Sequence, residues 1–163
     1  MAIHLDLEKL YLEDLQDREA YQRKRLSLSR LKQRDRARLR QLKALIGKFD
    51  EAEIWNCHYA CLLLMHSWET DAADDYALAH QYAKKAVQLG SNVTKWLFAA
   101  SKDRMLIAQG KQQVFGTQFK RRAGKWELLP VRKGVSDAIR ARYGVPPLRE
   151  ALRAFKKRYN ERE

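Results

Sequence analysis

Apolar residues recur at steps of three and four across the start of this chain, and no other feature narrows its possible folds as much. Leu7, Leu10, Tyr11 and Leu15 make one run, and Leu28, Leu31, Leu39, Leu42, Ile46 and Phe49 make the next. This spacing follows the turn of an α-helix and leaves one apolar face that must be covered. Gly47, followed by Asp50-Glu51, reads as a stop and a new start. The next helix, expected over 51–68, contains "IWNCHYACLLLMHSW" and is apolar on almost every side, which puts it at the centre. Two more are expected at about 72–89, ending at Gly90, and about 93–109, capped by Ser91 or Asn92 and ending at Gly110.

The helical pattern breaks at "GKQQVFGTQFKRRAGKWELLP", residues 110–130. Val114–Arg122 and Lys125–Val131 flank a turn at Ala123-Gly124 and read as a β-hairpin, with Pro130 suited to an edge. Strand alternation would put Gln113, Phe115 and Thr117 on one face, and Val114, Gly116 and Gln118 on the other. Basic helices at about 135–143 and 148–161, separated by "GVPP", close the chain. The expected fold is mainly α, a single-domain bundle of about six helices over 1–163 with one β-hairpin near 113–131.

A composition that is 45% hydrophobic and 33% charged fits a folded, helix-rich chain and argues against disorder. No apolar run approaches the ~20 residues needed to span a bilayer. The acidic start lacks an apolar signal core, so the expected location is cytoplasmic, with no membrane association. The net charge of +13 is concentrated in two segments: +10 over 23–48 and +9 over 120–163. Such segments suit anionic partners or a plain solvated surface. Zinc-type ligand spacing is missing around Cys57, His58 and Cys61, so no metal site is expected, and no cofactor can be named. Nucleotide-binding glycine motifs and the nucleophile-elbow motif are absent.

The informative residues are polar groups on apolar faces. Asp14 lies four after Leu10, with Arg18 four further on; Asp35 sits between Leu31 and Leu39. His66 continues the stripe Trp55, Tyr59, Leu62, and Asp103, beside Arg104, follows Trp96 and Ala100. A buried charge persists only when it is paired or used. A buried ion-pair network that only locks helix packing would leave the same pattern. Within the helical stretch "SRLKQRDRARLRQLK", Arg30, Arg34, Arg38 and Lys43 are expected to face solvent while Asp35 turns inward with Leu31, Leu39 and Leu42.

With those residues located, "FAASKDRMLIAQGKQQVFGTQF" resembles the hallmark of an uncharacterised bacterial family, domain of unknown function 6624. The family pattern is a helix carrying Asp-Arg followed by G-K-x-Q-x-Y-G-T-Q, matched here by Asp103-Arg104, Gly110-Lys111, Gln113, Phe115, Gly116, Thr117 and Gln118. "DLQDR" is similar to its D-Q-x-x-R, with Leu15 in place of glutamine. Asp35 begins a segment like its D-x-x-N-x-x-x-L, with Arg38 where asparagine is usual. "LLLMHSW" keeps His66 of L-L-x-Q-H-A-D but lacks the glutamine and aspartate. "LLPVRKGVSDAIRARYGVPPLREAL" follows its closing segment, with Arg132-Lys133 where acids are usual. The resemblance implies a shared fold and a shared polar pocket, and it supplies no activity.

Two functional readings follow. The first is a pocket protein with hydrolase or group-transfer chemistry on a polar or anionic small molecule or peptide. His66, Asp103, Asp35 and Asp14 would be its candidate acid–base groups; Arg18 and Arg104 would hold negative charge; Gln113, Gly116, Thr117 and Gln118 would line and orient. Asp14, Arg18, Asp35, His66, Asp103 and Gln118 are then expected around one cavity. The second is a non-catalytic binding protein whose basic segments grip nucleic acid or an acidic protein. Those segments lack interleaved aromatics, so any nucleic-acid contact would be weak and phosphate-driven.

Overall fold

The computed structural model describes residues 2–68, 72–122 and 124–159. Their order is α1 (Leu5–Gln22), α2 (Leu28–Leu45), α3 (Ile54–Met65), α4 (Ala73–Gln88), α5 (Lys95–Ala108), β1 (Phe119–Arg122), β2 (Lys125–Leu128), α6 (Asp137–Arg142) and α7 (Leu148–Tyr159). The fold is mainly α with one antiparallel hairpin, as the periodicity predicts. Ala123 of the expected turn and residues 160–161 of the expected last helix lie outside the described residues.

α3 is the hub: it packs against α1, α2, α4 and α5, and Cys57 through Cys61 and Leu63 through Met65 are buried. Leu7 and Leu10 of α1, Leu39 and Leu42 of α2, Tyr82 and Ala83 of α4, and Leu97 and Ala100 of α5 complete that core. A smaller cluster of Ala99, Phe115 and Val145, covered by the stacked rings of Phe98 and Tyr143, joins α5 to the segment after it.

Seven helices rather than about six arise among the described residues because the opening run breaks at 23–27. Lys24 turns through the left-handed region (φ 58°), and the Ser27 hydroxyl then accepts from the Arg30 amide, an N-cap that restarts the helix. The fold back lays α2 along α1. The helix expected from 93 begins at Lys95, after a turn in which Ser91 Oγ accepts from the Thr94 amide.

The hairpin is shorter than the alternation suggested. Only Phe119–Arg122 pairs with Lys125–Leu128, and 113–118 is a loop touching Val131 through a single bridge at Gln113. Gly116 takes φ +70° there, and a Cβ on it would sit 2.8 Å from Leu148 Cδ1 and 3.0 Å from Arg140 Nη1. Its missing side chain therefore admits α6 and α7 against the loop.

Candidate functional site

α1 and α2 face each other across a buried layer of charge. Arg18 Nη2 donates to Asp14 Oδ1 (3.1 Å) and to Asp35 Oδ2 (2.6 Å). Arg38, expected in solvent, is instead buried: it donates to Asp17 Oδ2 and to Asp35 Oδ1, each at 2.5 Å. The reason is geometric, since Arg38 lies three residues after Asp35 and its long stem reaches across to α1. Arg34, more than half exposed, closes the layer on Asp17. Arg30 does face solvent, and Lys43 is half-exposed with its Nζ on the buried Asp75 (2.7 Å); Asp35 does turn inward with Leu31, Leu39 and Leu42.

The C-terminal end of α3 meets this layer. α3 stops at Met65, and His66, the next residue, turns its Nδ1 to Asp14 Oδ1 at 3.1 Å. Two residues on, Trp68 Nε1 donates to Asp35 Oδ2 at 2.6 Å. Burial pushes the Asp14 carboxyl up, but the His66 and Arg18 contacts outweigh it and hold it below the ordinary carboxylate value. Asp14 is therefore ionised at neutral pH.

Arg104 of α5 approaches the same end of α3. It donates through Nη1 to the Met65 carbonyl and through Nε to Gln118 Oε1 (3.0 Å), and its guanidinium lies over the Tyr76 ring, 5.8 Å from the centroid. Burial pulls this guanidinium down from its ordinary value, and Arg18 nearby adds to the effect. Between these groups lies a cleft of about 780 Å³. Its polar wall is Arg18, His66, Arg104 and Gln118; Tyr21, Trp68, Tyr76 and Phe119 supply rings.

Of the residues expected around one cavity, Arg18, His66 and Gln118 line the cleft. Asp14 and Asp35 stand behind it, bonded to Arg18 and, for Asp14, to His66. Asp103 is fully buried under the 113–118 loop. Its carboxylate accepts from the amides of Val114 (2.7 Å), Phe115 (2.9 Å) and Thr117 (2.9 Å) and from the Thr117 hydroxyl (2.8 Å). This explains the loop: the carboxylate takes the N–H groups that a strand partner would otherwise take. Gln113, also buried, donates to the carbonyls of Gln118 (3.0 Å) and Leu129 (2.7 Å) and accepts from the Gln118 amide (2.9 Å). Thr117 and Gly116 border a different groove, mostly apolar, with Trp96 and Phe155. Thr117 Oγ1 also accepts from Gln118 Nε2 (2.9 Å), so the clamp around Asp103 reaches the cleft through Gln118 and Arg104.

A family described as being of unknown function, DUF6624, matches residues 29–162. The chain belongs to that family. The match takes in His66, Arg104 and Gln118 of the cleft and leaves out Asp14 and Arg18, so the DUF6624 region alone does not contain both partners of the His66–Asp14 contact. No curated protein and no solved structure matches the chain.

Periodicity gave no role to Asp17, Tyr21, Trp68 or Tyr76, and it put Arg38 in solvent. Asp17 lies three after Asp14, and Arg38 three after Asp35, a spacing that could have flagged both. The helix expected to run to 68 ends at Met65, so Trp68 leaves the helical face and its ring turns to Asp35. Cys57 and Cys61 are buried free thiols; burial pushes Cys57 up to about 11 and Cys61 up further, so neither offers a thiolate. Among the described residues no group of three potential metal ligands gathers, and no helix is long and apolar enough to cross a membrane.

Proposed function

We propose that this cleft is the functional site and that it carries hydrolysis or group transfer on a small anionic substrate, with His66 as general base. The observation that carries the reading is the 3.1 Å contact between His66 Nδ1 and a buried, ionised Asp14 at a cleft that also presents Arg18 and Arg104. An ionised carboxylate can only accept, so it holds the imidazole with its proton on Nδ1 and leaves the Nε2 lone pair for chemistry.

In the hydrolytic form, Nε2 removes a proton from water as the water oxygen bonds to an electrophilic carbon or phosphorus. The imidazolium is stabilised by Asp14, which does not take the proton. His66 then returns that proton to the leaving group as its bond breaks. Arg104, held by Gln118 and the Met65 carbonyl, faces the substrate's anion or the developing oxyanion. Arg18 and Asp35 are positioning residues for His66–Asp14 and Trp68. Asp103, Gln113 and Thr117 are positioning residues for Gln118.

The test is turnover of a panel of p-nitrophenyl esters and phosphodiesters, with melting temperature followed in parallel. Turnover on part of the panel is expected, and His66→Ala should lower kcat/KM by about 10²-fold or more without unfolding the protein. Full activity in His66→Ala, or no turnover of any panel member, overturns the catalytic reading.

A further inference from the structure

The charge of the cleft can be counted, and the count narrows the substrate. Asp14, Asp17 and Asp35 are matched one for one by Arg18, Arg34 and Arg38, so the layer behind the cleft is neutral. Arg104 stands outside that balance. Its partners are a carbonyl, an amide oxygen and the Tyr76 ring, and no carboxylate pairs with it among the described residues. A largely buried cation without a counter-anion is costly, and a bound anion would relieve it.

The surrounding backbone limits how much negative charge can enter. Arg18 and Tyr21 lie in the last turns of α1, Met65 ends α3, and Ile107 and Ala108 end α5; all five border the cleft. Three helix C-termini, the negative ends of their dipoles, therefore converge where phosphate sites ordinarily use helix N-termini. Inside the cleft, one unbalanced guanidinium against three such ends suits a single negative charge; the Lys32 ammonium lies over the Trp68 ring, 4.7 Å from its centroid, outside the lining.

The open side of the cleft is aromatic. Tyr21 is 42% and Trp68 39% exposed. The Trp68 ring is held in place by its bond to Asp35, and the Tyr76 hydroxyl is fixed on the Ser67 carbonyl (3.1 Å). A cleft of about 780 Å³ is also far larger than a bare inorganic anion.

We infer that the cleft takes an aromatic monoanion, a planar ring bearing one carboxylate or one phosphodiester, seated with its charge on Arg104 and its ring against Tyr21 and Trp68. The inference rests on this cleft being the functional site, and it names the substrate class.

Calorimetric titration of the full chain at pH 8 with five probes tests it: benzoate, diphenyl phosphate, cyclohexanecarboxylate, phenyl phosphate and ATP. Benzoate or diphenyl phosphate should bind at least tenfold more tightly than the other three, and the tighter of the two identifies the anion. Arg104→Gln should lose tenfold or more, with Arg104→Lys retaining part of it. Trp68→Leu and Tyr21→Leu, at the exposed rim, should bring the benzoate-to-cyclohexanecarboxylate ratio close to one. ATP or phenyl phosphate binding as tightly as benzoate, or a ring preference unchanged in both rim variants, overturns the inference. Ring-selective monoanion binding without turnover of any ester would overturn the catalytic reading alone. Turnover with no preference for ring or single charge would overturn this inference alone.

Discussion

Asp35 and Asp103 are both buried acids on helical faces, yet they are satisfied in opposite ways. Asp35 sits in a layer of side chains where charge answers charge, bonded to Arg18, Arg38 and Trp68. Among the described residues no guanidinium bonds to Asp103; three backbone amides and a hydroxyl of one loop surround it. The first arrangement holds three separate segments in register, α1, α2 and the end of α3. The second replaces a strand partner and gives a loop its shape. A buried acid in a sequence thus marks a convergence of donors, and the kind of donor decides what the acid organises.

That contrast can be broken most sharply at Asp35. Asp35→Ala should cost about 3–5 kcal/mol, because Arg18 and Arg38 would be left with an unbalanced buried charge. Asp35→Asn should cost nearly as much, since the charge is what the arginines need. Asp103→Ala should cost about 3 kcal/mol, the penalty for several buried amides losing their acceptor. Asp103→Asn should cost about half as much, because the remaining carbonyl oxygen still accepts from part of the loop. Denaturant unfolding of the four variants reads the comparison directly. Equal Ala-to-Asn ratios at the two sites would erase the distinction.

A smaller effect concerns pH. Burial, with Lys102 beside it, pulls the His80 imidazole from 6.5 down to about 4. Between those values the unfolded chain binds the proton and the folded chain does not, so stability should fall as pH drops through that window. His80→Phe should flatten this slope. The lowered Asp14 carboxyl acts in the same direction at more acid pH, its stabilisation being present above the unfolded value of 3.8 and lost below it. A melting temperature constant from pH 7 to 4 would contradict the burial of His80.

The smallest expected effect is on the outer face of α2. Replacing Arg30 and Arg40 together should leave ester turnover unchanged. Each phosphate contact removed should flatten the salt dependence of oligonucleotide binding by about 0.7–0.9 in log–log slope. Tight oligonucleotide binding at physiological salt that ignores cleft variants would favour the basic surface as the functional one.

The helices were legible because their apolar residues keep the helical period, and Asp14, Asp35 and Asp103 stood out as exceptions to it. Arg38 was not legible. Periodicity assigns a charged residue to solvent, and only the fold back at Lys24 and Ser27 brings Asp17 within its reach. The loop at 113–118 was misread as strand for a related reason. Its alternating sequence fits a pleat, but Asp103, ten residues before Gln113, takes its amides first. The Tyr21, Trp68 and Tyr76 rim comes from three places in the chain and has no local signature.

The central claim is that Asp14 holds His66 with its proton on Nδ1 and Nε2 open to the cleft. Nitrogen NMR of imidazole-labelled protein at pH 8 tests it most directly. The account predicts that the His66 ring is the Nδ1–H tautomer and that Asp14→Asn releases this preference. A His66 resonance showing the proton on Nε2 in the parent protein would contradict it.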